Sequence, residues 1–252
     1  MALTTTTPSI GKGLLAAALT TALALAAGPV TAAADDGGWK GAGGLTLNST
    51  DNAKVDAYLD RARRAERSIS TDVGAAALAS GAQLVGFDHR LKSADSLKRK
   101  VATSLEDTPG QNTDTVLARL TDAVRYTLQW RDSTYTTGVT RASAVLSAWG
   151  NTSTKWSNTW NRTSGYKGLN TGWRAPGSGQ LFEIQFHTPE SKHAQEVTHL
   201  LYEEQRLPST TPARRKELQA RQDAAFNAVP VPAGADRLTA PVGPAAPVPA
   251  TL

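Results

Sequence analysis

Leu181-Phe182-Glu183-Ile184-Gln185-Phe186-His187-Thr188-Pro189 decides how this chain folds. Successive side chains of a β-strand point to opposite faces. Phe182, Ile184 and Phe186 thus share one face, and Glu183, Gln185 and His187 share the other. The apolar face demands a core. Three functional groups in register are not needed for folding, so the polar face reads either as a solvated outer surface or as a site. Thr188 offers a helix cap and Pro189 suits the first helical position, which predicts a helix to about Arg206.

Outward from that strand, Pro176-Gly177-Ser178-Gly179 reads as a hairpin turn back to a strand over Tyr166 to Arg174. Another strand is expected over Lys155 to Arg162. Ala123 to Trp130 alternates with Val124, Tyr126 and Leu128 on one face. Leu84 to Leu91 reads as a further strand. Between these lie helices from Ser93 to about Leu105, from Asn112 to Leu120 and from Thr136 to Trp149. A long helical stretch runs from the caps at Asn48 to Asp51 as far as Gly81, with one break near Asp72 to Gly74. A basic helix is expected from Pro212 to Ala228. Helices, then mixed strands and helices, then helices again describe an α+β domain: one mixed β-sheet flanked by helices.

Both ends differ from this middle. Lys12, the Ala/Leu-rich run Leu14 to Ala27 and Ala32-Ala33-Ala34 read as an export signal over residues 1–34. The mature protein is therefore expected outside the cell, without a membrane span, since the apolar run is short. Residues 35–47 are Gly-rich and read as a flexible leader, residues 48–228 as the domain, and the Pro/Ala-rich residues 229–252 as a disordered tail.

The 252 residues contain no cysteine, which excludes a disulfide framework, a thiolate nucleophile and a zinc–thiolate site. His187, His193 and His199 show none of the common zinc spacings. The formal charge of +5 suits contact with phosphates but is small.

Three segments carry chemistry. Arg90, Lys92 and Ser96, with Lys100 beyond, place two cations two apart on a strand and a hydroxyl in the first turn of the next helix. That set reads as a phosphate cradle or as a basic edge strand with a capped helix. Asp122 stands at the mouth of a strand, where a carboxylate holds a metal or makes a turn. Glu183 on a second strand is the other acidic candidate, because a hard divalent cation takes oxygen ligands.

Together these segments resemble the synthetase domain of the RelA/SpoT family, the makers of (p)ppGpp. Arg90-Leu91-Lys92 with Ser96 is similar to the family's R-x-K-x-x-x-S motif, and Asp122 falls where the family has its metal aspartate. Gly165-Tyr166 resembles the acceptor-binding glycine–tyrosine. Glu183-Ile184-Gln185 with Thr188 resembles E-[IL]-Q-x-x-T, and His199 with Tyr202 the H-x-x-Y of the following helix. The likeness spans residues 50–206. With its export signal, the chain most resembles the extracellular ATP:nucleotide 3′-pyrophosphokinases of actinobacteria.

The resemblance implies transfer of the β,γ-pyrophosphoryl group of ATP to the 3′-hydroxyl of a purine nucleotide, with no nucleic acid or membrane as partner. It implies Arg90, Lys92, Ser96 and Lys100 on the ATP phosphates, and Asp122 and Glu183 as catalytic residues holding Mg2+ or Mn2+. It places Tyr166, Asn170, Gln185 and His187 at the acceptor, the last two either touching phosphate or supporting Glu183. His199 and Tyr202 are expected to brace the sheet. Two departures stand out. The family's D-x-x-G-x-R has Arg125 at the glycine position, and Asn170 replaces the histidine of G-Y-x-x-x-H. Two other readings fit the same residues: a secreted toxin of the same domain type, and a non-catalytic envelope protein binding polyanions through Arg214-Arg215-Lys216.

Overall fold

The computed structural model describes residues 37–207 and 209–241. In chain order these form β1 (Trp39–Lys40), β2 (Thr46–Leu47), α1 (Ser49–Ser80), β3 (Gln83–Val85), α2 (Ala94–Asp107), α3 (Thr113–Ala118) and β4 (Arg125–Gln129). Then follow α4 (Asp132–Ala148), β5 (Thr152–Asn158), β6 (Leu169–Arg174), β7 (Leu181–His187), α5 (Pro189–Gln205) and α6 (Pro212–Asn227). The export signal expected over 1–34 and the end of the expected tail lie outside the described residues.

Side-chain caps start the helices where the sequence supplies them. Asn48 accepts from the Asp51 amide at 2.8 Å, Asn112 from Thr115 at 2.8 Å, and Ser93 and Thr188 from Ser96 and Ser191 at 3.2 Å. The break expected near Gly74 is absent, and α1 runs unbroken. Val73, Ala76 and Ala77 are buried around that glycine, and their packing offsets a helix cost of about 1 kcal/mol.

The main sheet has five strands in the order β3-β4-β7-β6-β5. β4 and β7 are parallel, and the other neighbours are antiparallel. The register pairs Tyr126 with Ile184 and Leu128 with Phe186, so their apolar side chains share a face. Phe182, Ile184 and Phe186 are fully buried there with Leu128, Trp173 and, from α1 and α4, Ile69, Val73, Tyr135 and Leu146. Each large apolar side chain so buried contributes about 1.5–3 kcal/mol. Polar atoms within this layer find partners: Tyr135 donates to the Phe186 carbonyl at 3.0 Å, and Trp160 Nε1 donates to the Tyr135 hydroxyl at 2.9 Å.

β3 is shorter than expected. Gly86 takes φ 64°, and a 3-10 turn over Phe87–His89 lifts the chain off the sheet. The chain returns at Leu91, which bridges Val124 just before β4.

Two segments read as flexible are structured. Residues of the leader form the β1–β2 ribbon, with Leu47 buried. Residues 229–241 lie along β5 and α4: Val229 and Ala235 are buried, and Trp156 Nε1 donates to the Leu238 carbonyl at 3.0 Å. Asn158 Nδ2 donates to the Ala235 carbonyl at 2.8 Å, and Thr136 to Ala233 at 2.7 Å. A few apolar anchors and free carbonyls dock this stretch despite its composition. Among the described residues, no helix is long and apolar enough to cross a membrane.

Candidate active site

The second face of the sheet is polar, and it is built from the two parallel strands. In-register residues of adjacent strands point the same way. Arg125, Thr127 and Gln129 of β4 therefore stand beside Glu183, Gln185 and His187 of β7. On the other side of β7, Asn170 and Gly172 of β6 face Gln185 and Glu183. A Cβ on Gly172 would meet Thr154 Oγ1 at 3.0 Å and Thr121 Cγ2 at 3.1 Å, so the glycine lets these two threonines pack closely against β6.

Asp122 lies just ahead of β4 and is buried. Lys92 Nζ donates to its Oδ2 at 2.8 Å, and Lys100 Nζ lies 2.8 Å from its Oδ1. Burial pushes the carboxyl pKa up, but the Lys100 and Lys92 charges overcome it and hold it at about 2. Asp122 is therefore ionised at any physiological pH. Glu183, partly buried, is shifted the other way: burial raises its pKa, and the negative charge of Asp122 adds to the rise. Arg125, the Gln185 hydrogen bond and Lys100 act against it. The electrostatic contact between Asp122 and Glu183 puts both carboxylates at one end of the sheet.

A relay ties Glu183 to α5. Gln185 Nε2 donates to Glu183 Oε1 at 2.9 Å, Gln195 Nε2 donates to Gln185 Oε1 at 3.2 Å, and Lys192 Nζ donates to Gln195 Oε1 at 2.8 Å. Gln185 and His187 are both buried. Gln185 orients Glu183. His187 lies beneath Tyr166, whose hydroxyl is 3.0 Å from Nε2 and 2.8 Å from Asn170 Oδ1. Burial keeps the phenol pKa well above its usual range. Tyr166 is partly buried and its ring also packs edge-on against Phe226 of α6.

The basic segment divides in two. Arg90 is in the helical region of backbone space, not extended, so the alternation that would place it beside Lys92 does not hold. Its Nε donates to Glu66 Oε1 of α1 at 2.5 Å, and its guanidinium stacks on Phe87 at 4.2 Å. Ser70 and Tyr126 complete that cluster. Lys92 and Lys100 instead turn to Asp122. Ser96 is exposed at the start of α2, its Oγ accepting from Ser93 at 2.9 Å. His199 and Tyr202 do not brace the sheet: both are exposed on α5, and Arg206 lies over the Tyr202 ring at 5.3 Å. Sequence reading missed Glu66, Ser70, Lys192 and Gln195, because each matters only through a partner distant in sequence or folded against it.

The residues present fit a hard divalent cation. Asp122 Oδ1 meets Lys100 as a charge contact without accepting an aligned hydrogen bond, and a second carboxylate stands close enough to feel its charge. Among the described residues no group of three acidic or histidine side chains forms a complete cage. A cation here would be completed by oxygens from outside the protein.

No family model matches the chain, and no curated protein matches it. Among solved structures, small alarmone synthetase 1 from Bacillus subtilis is similar with a TM-score of 0.50 and 15% identity, over 73% of this chain and 93% of that one. The alarmone-synthetase fold is the fold of this chain. A GTP pyrophosphokinase family protein from Streptococcus pneumoniae is similar with a TM-score of 0.49 and 14% identity, over 69% of this chain and 88% of that one. The Bacillus synthetase bound to its product pppGpp gives 0.47 and 18%, over 69% and 92%. Within the alarmone-synthetase fold, the helices and the mixed sheet agree with the α+β architecture read from the sequence.

Proposed function

We propose that this chain is an ATP:nucleotide 3′-pyrophosphokinase that works outside the cell. It moves the β,γ-pyrophosphoryl group of ATP to the 3′-hydroxyl of a purine nucleotide, GMP, GDP, GTP, AMP, ADP or ATP. The observation that carries the reading is the pairing of Asp122 with Glu183 where β4 and β7 begin. One carboxylate is held ionised by two lysines, and the other is raised toward proton acceptance. The resemblance of the motifs to the RelA/SpoT synthetases and the shared fold support the same assignment.

In this mechanism Glu183 orients the acceptor 3′-hydroxyl and takes its proton. The 3′-oxygen forms a bond to the β-phosphorus, the bond from that phosphorus to the α,β-bridging oxygen breaks, and AMP leaves with the electron pair. Gln185 fixes the carboxylate that accepts the proton. Lys92 and Lys100 are the cations nearest Asp122 and neutralise the donor phosphates, with Arg90 and Ser96 at the edge of the same cradle. Asp122 and Glu183 would hold Mg2+ or Mn2+, which supplies charge neutralisation to phosphate oxygens when bound. Tyr166, with Asn170, stacks on the acceptor base, a contact that tolerates different bases.

Incubating the purified chain with ATP, one purine acceptor and Mg2+, then resolving the nucleotides, tests the reading. AMP and a 3′-pyrophosphorylated acceptor in equal amounts are expected. ADP as the sole product, or unchanged ATP, would remove it. The polyanion-binding alternative is weakened by the surroundings of Arg214, which is paired with Glu204 at 2.7 Å and Glu217 at 2.7 Å.

A further inference from the structure

Arg125 is the exposed cation of the polar face that the mechanism leaves without a task. It opens β4 and stands in register with Glu183 of the adjacent parallel strand, so the two side chains leave the same face side by side. Its backbone amide donates to the Arg90 carbonyl at 2.8 Å. One residue thus borders both halves of the site: the Arg90–Lys92 segment on one flank and Glu183 on the other.

The neighbouring cations differ from it. Arg90 is tied to Glu66, Lys92 and Lys100 to Asp122, and Lys192 to Gln195 and Glu196. The Arg125 guanidinium makes no hydrogen bond or close ion pair among the described residues. Its charge is felt by Glu183, Tyr166, His187 and Lys192, which are the groups of the acceptor half. A free guanidinium carries a planar fork of donors that matches two phosphate oxygens at once. An arginine left unpaired between a base and a phosphate cradle is placed to receive anionic oxygens from a ligand.

We propose that Arg125 is a catalytic residue that grips the pyrophosphoryl group as it passes from donor to acceptor, at the seam between the two nucleotide subsites. This rests on the pyrophosphokinase reading. It predicts more than charge balance for Glu183: the fork geometry itself is needed. A mere counter-ion to Glu183 would be replaceable by lysine, and its loss would move only the acid limb of the pH–rate profile.

The test uses wild type, Arg125→Gln and Arg125→Lys of the full chain, with melting temperature as the check on folding. Turnover is followed as AMP release. Binding of α,β-methylene-ATP, whose bridge cannot be cleaved, and of AMP, which lacks the pyrophosphoryl group, is followed by calorimetry with Mg2+. Arg125→Gln should lower kcat on the order of 100-fold and weaken the analogue about tenfold or more, the cost of a charge-assisted pair. AMP affinity and melting temperature should be unchanged, and Arg125→Lys should recover only a small part. Wild-type turnover and analogue affinity in Arg125→Gln overturn the proposal. So does equal weakening of AMP and analogue, or full recovery by lysine. Wild type that releases no AMP sinks the pyrophosphokinase reading instead. The binding arm still reports on Arg125 in that case, and no analogue binding by wild type ends both.

Discussion

The Tyr166 hydroxyl lies 3.0 Å from His187 Nε2, and the protons along this contact can be counted. Ser191 spends its one hydroxyl proton on the Lys167 carbonyl at 2.8 Å, so at 2.7 Å from Ser191 Oγ the imidazole Nδ1 must be the donor. Nε2 then carries a lone pair and Tyr166 donates to it. Turning the Asn170 amide by half a rotation would present its NH2 to the phenol oxygen and satisfy that contact as well. The tyrosine is pinned by β6, β7 and α5 together. Replacing His187 with Phe keeps a flat ring but removes the acceptor, which costs about 1–2 kcal/mol. The acceptor KM should rise roughly tenfold by the same energy while the KM for ATP holds. Equal changes in both constants would contradict the pin.

Acid should weaken the fold through this same histidine. Burial holds His187 at about 3, below its ordinary 6.5, with Lys192 and Arg125 adding to the drop. The unfolded chain therefore binds a proton between those values that the folded chain refuses. Stability is intact above 6.5 and falls as pH drops toward 3, by up to about 1.4 kcal/mol per pH unit. Urea unfolding at pH 7, 5.5 and 4.5 measures the slope, and His187→Asn should flatten it. A slope that survives the substitution assigns the effect elsewhere.

Glu183→Gln retains the shape of the side chain and its place beside Gln185 but cannot take a proton. Transfer should fall by at least about 100-fold, with melting temperature preserved. Chelating divalent ions should stop wild-type turnover and leave the unfolding curve in place, because lysines already compensate Asp122 in the folded chain. Normal AMP release by the glutamine variant would refute the assignment.

Asp122→Asn should be costly for stability as well as turnover. The carboxyl pKa falls from 3.8 to about 2 on folding, which corresponds to about 2 kcal/mol of stability. That contribution is complete above 3.8 and is lost as pH falls through 2. Wild type should exceed the asparagine variant by that margin in urea at pH 7, and the gap should narrow below pH 4. A constant gap would mean that packing, not charge, sets the difference.

Arg90 and Glu66 should be energetically coupled. A double-mutant cycle with Arg90→Ala and Glu66→Gln is expected to give about 1–3 kcal/mol. Additive single effects would show that the contact does not hold the 3-10 turn against α1.

How much of this was legible depended on whether a signal was local. β7 was readable to the residue because Phe182, Ile184 and Phe186 alternate with polar neighbours, and Thr188-Pro189 marks the next helix. The Asp122–Glu183 pair came from motif resemblance, since neither spacing nor composition predicts that two loops and strands will converge. Arg90 was misplaced because a strand rule was applied across Gly86, where the chain leaves the sheet. The burial of His187 was not legible, because periodicity gives a face, not the depth of what covers it. Residues 229–241 were hidden by their Pro/Ala content, which masks how few anchors, Val229 and Ala235, suffice to hold a short segment.

The docking of residues 229–241 along β5 reaches beyond local packing. An outermost strand normally displays a row of unused amides and carbonyls that a foreign strand can copy. Here Trp156 and Asn158 of that strand already grasp the chain's own late segment. The late segment is held there through side chains of the outer strand, so it covers part of that border as a strap without adding a strand to the sheet.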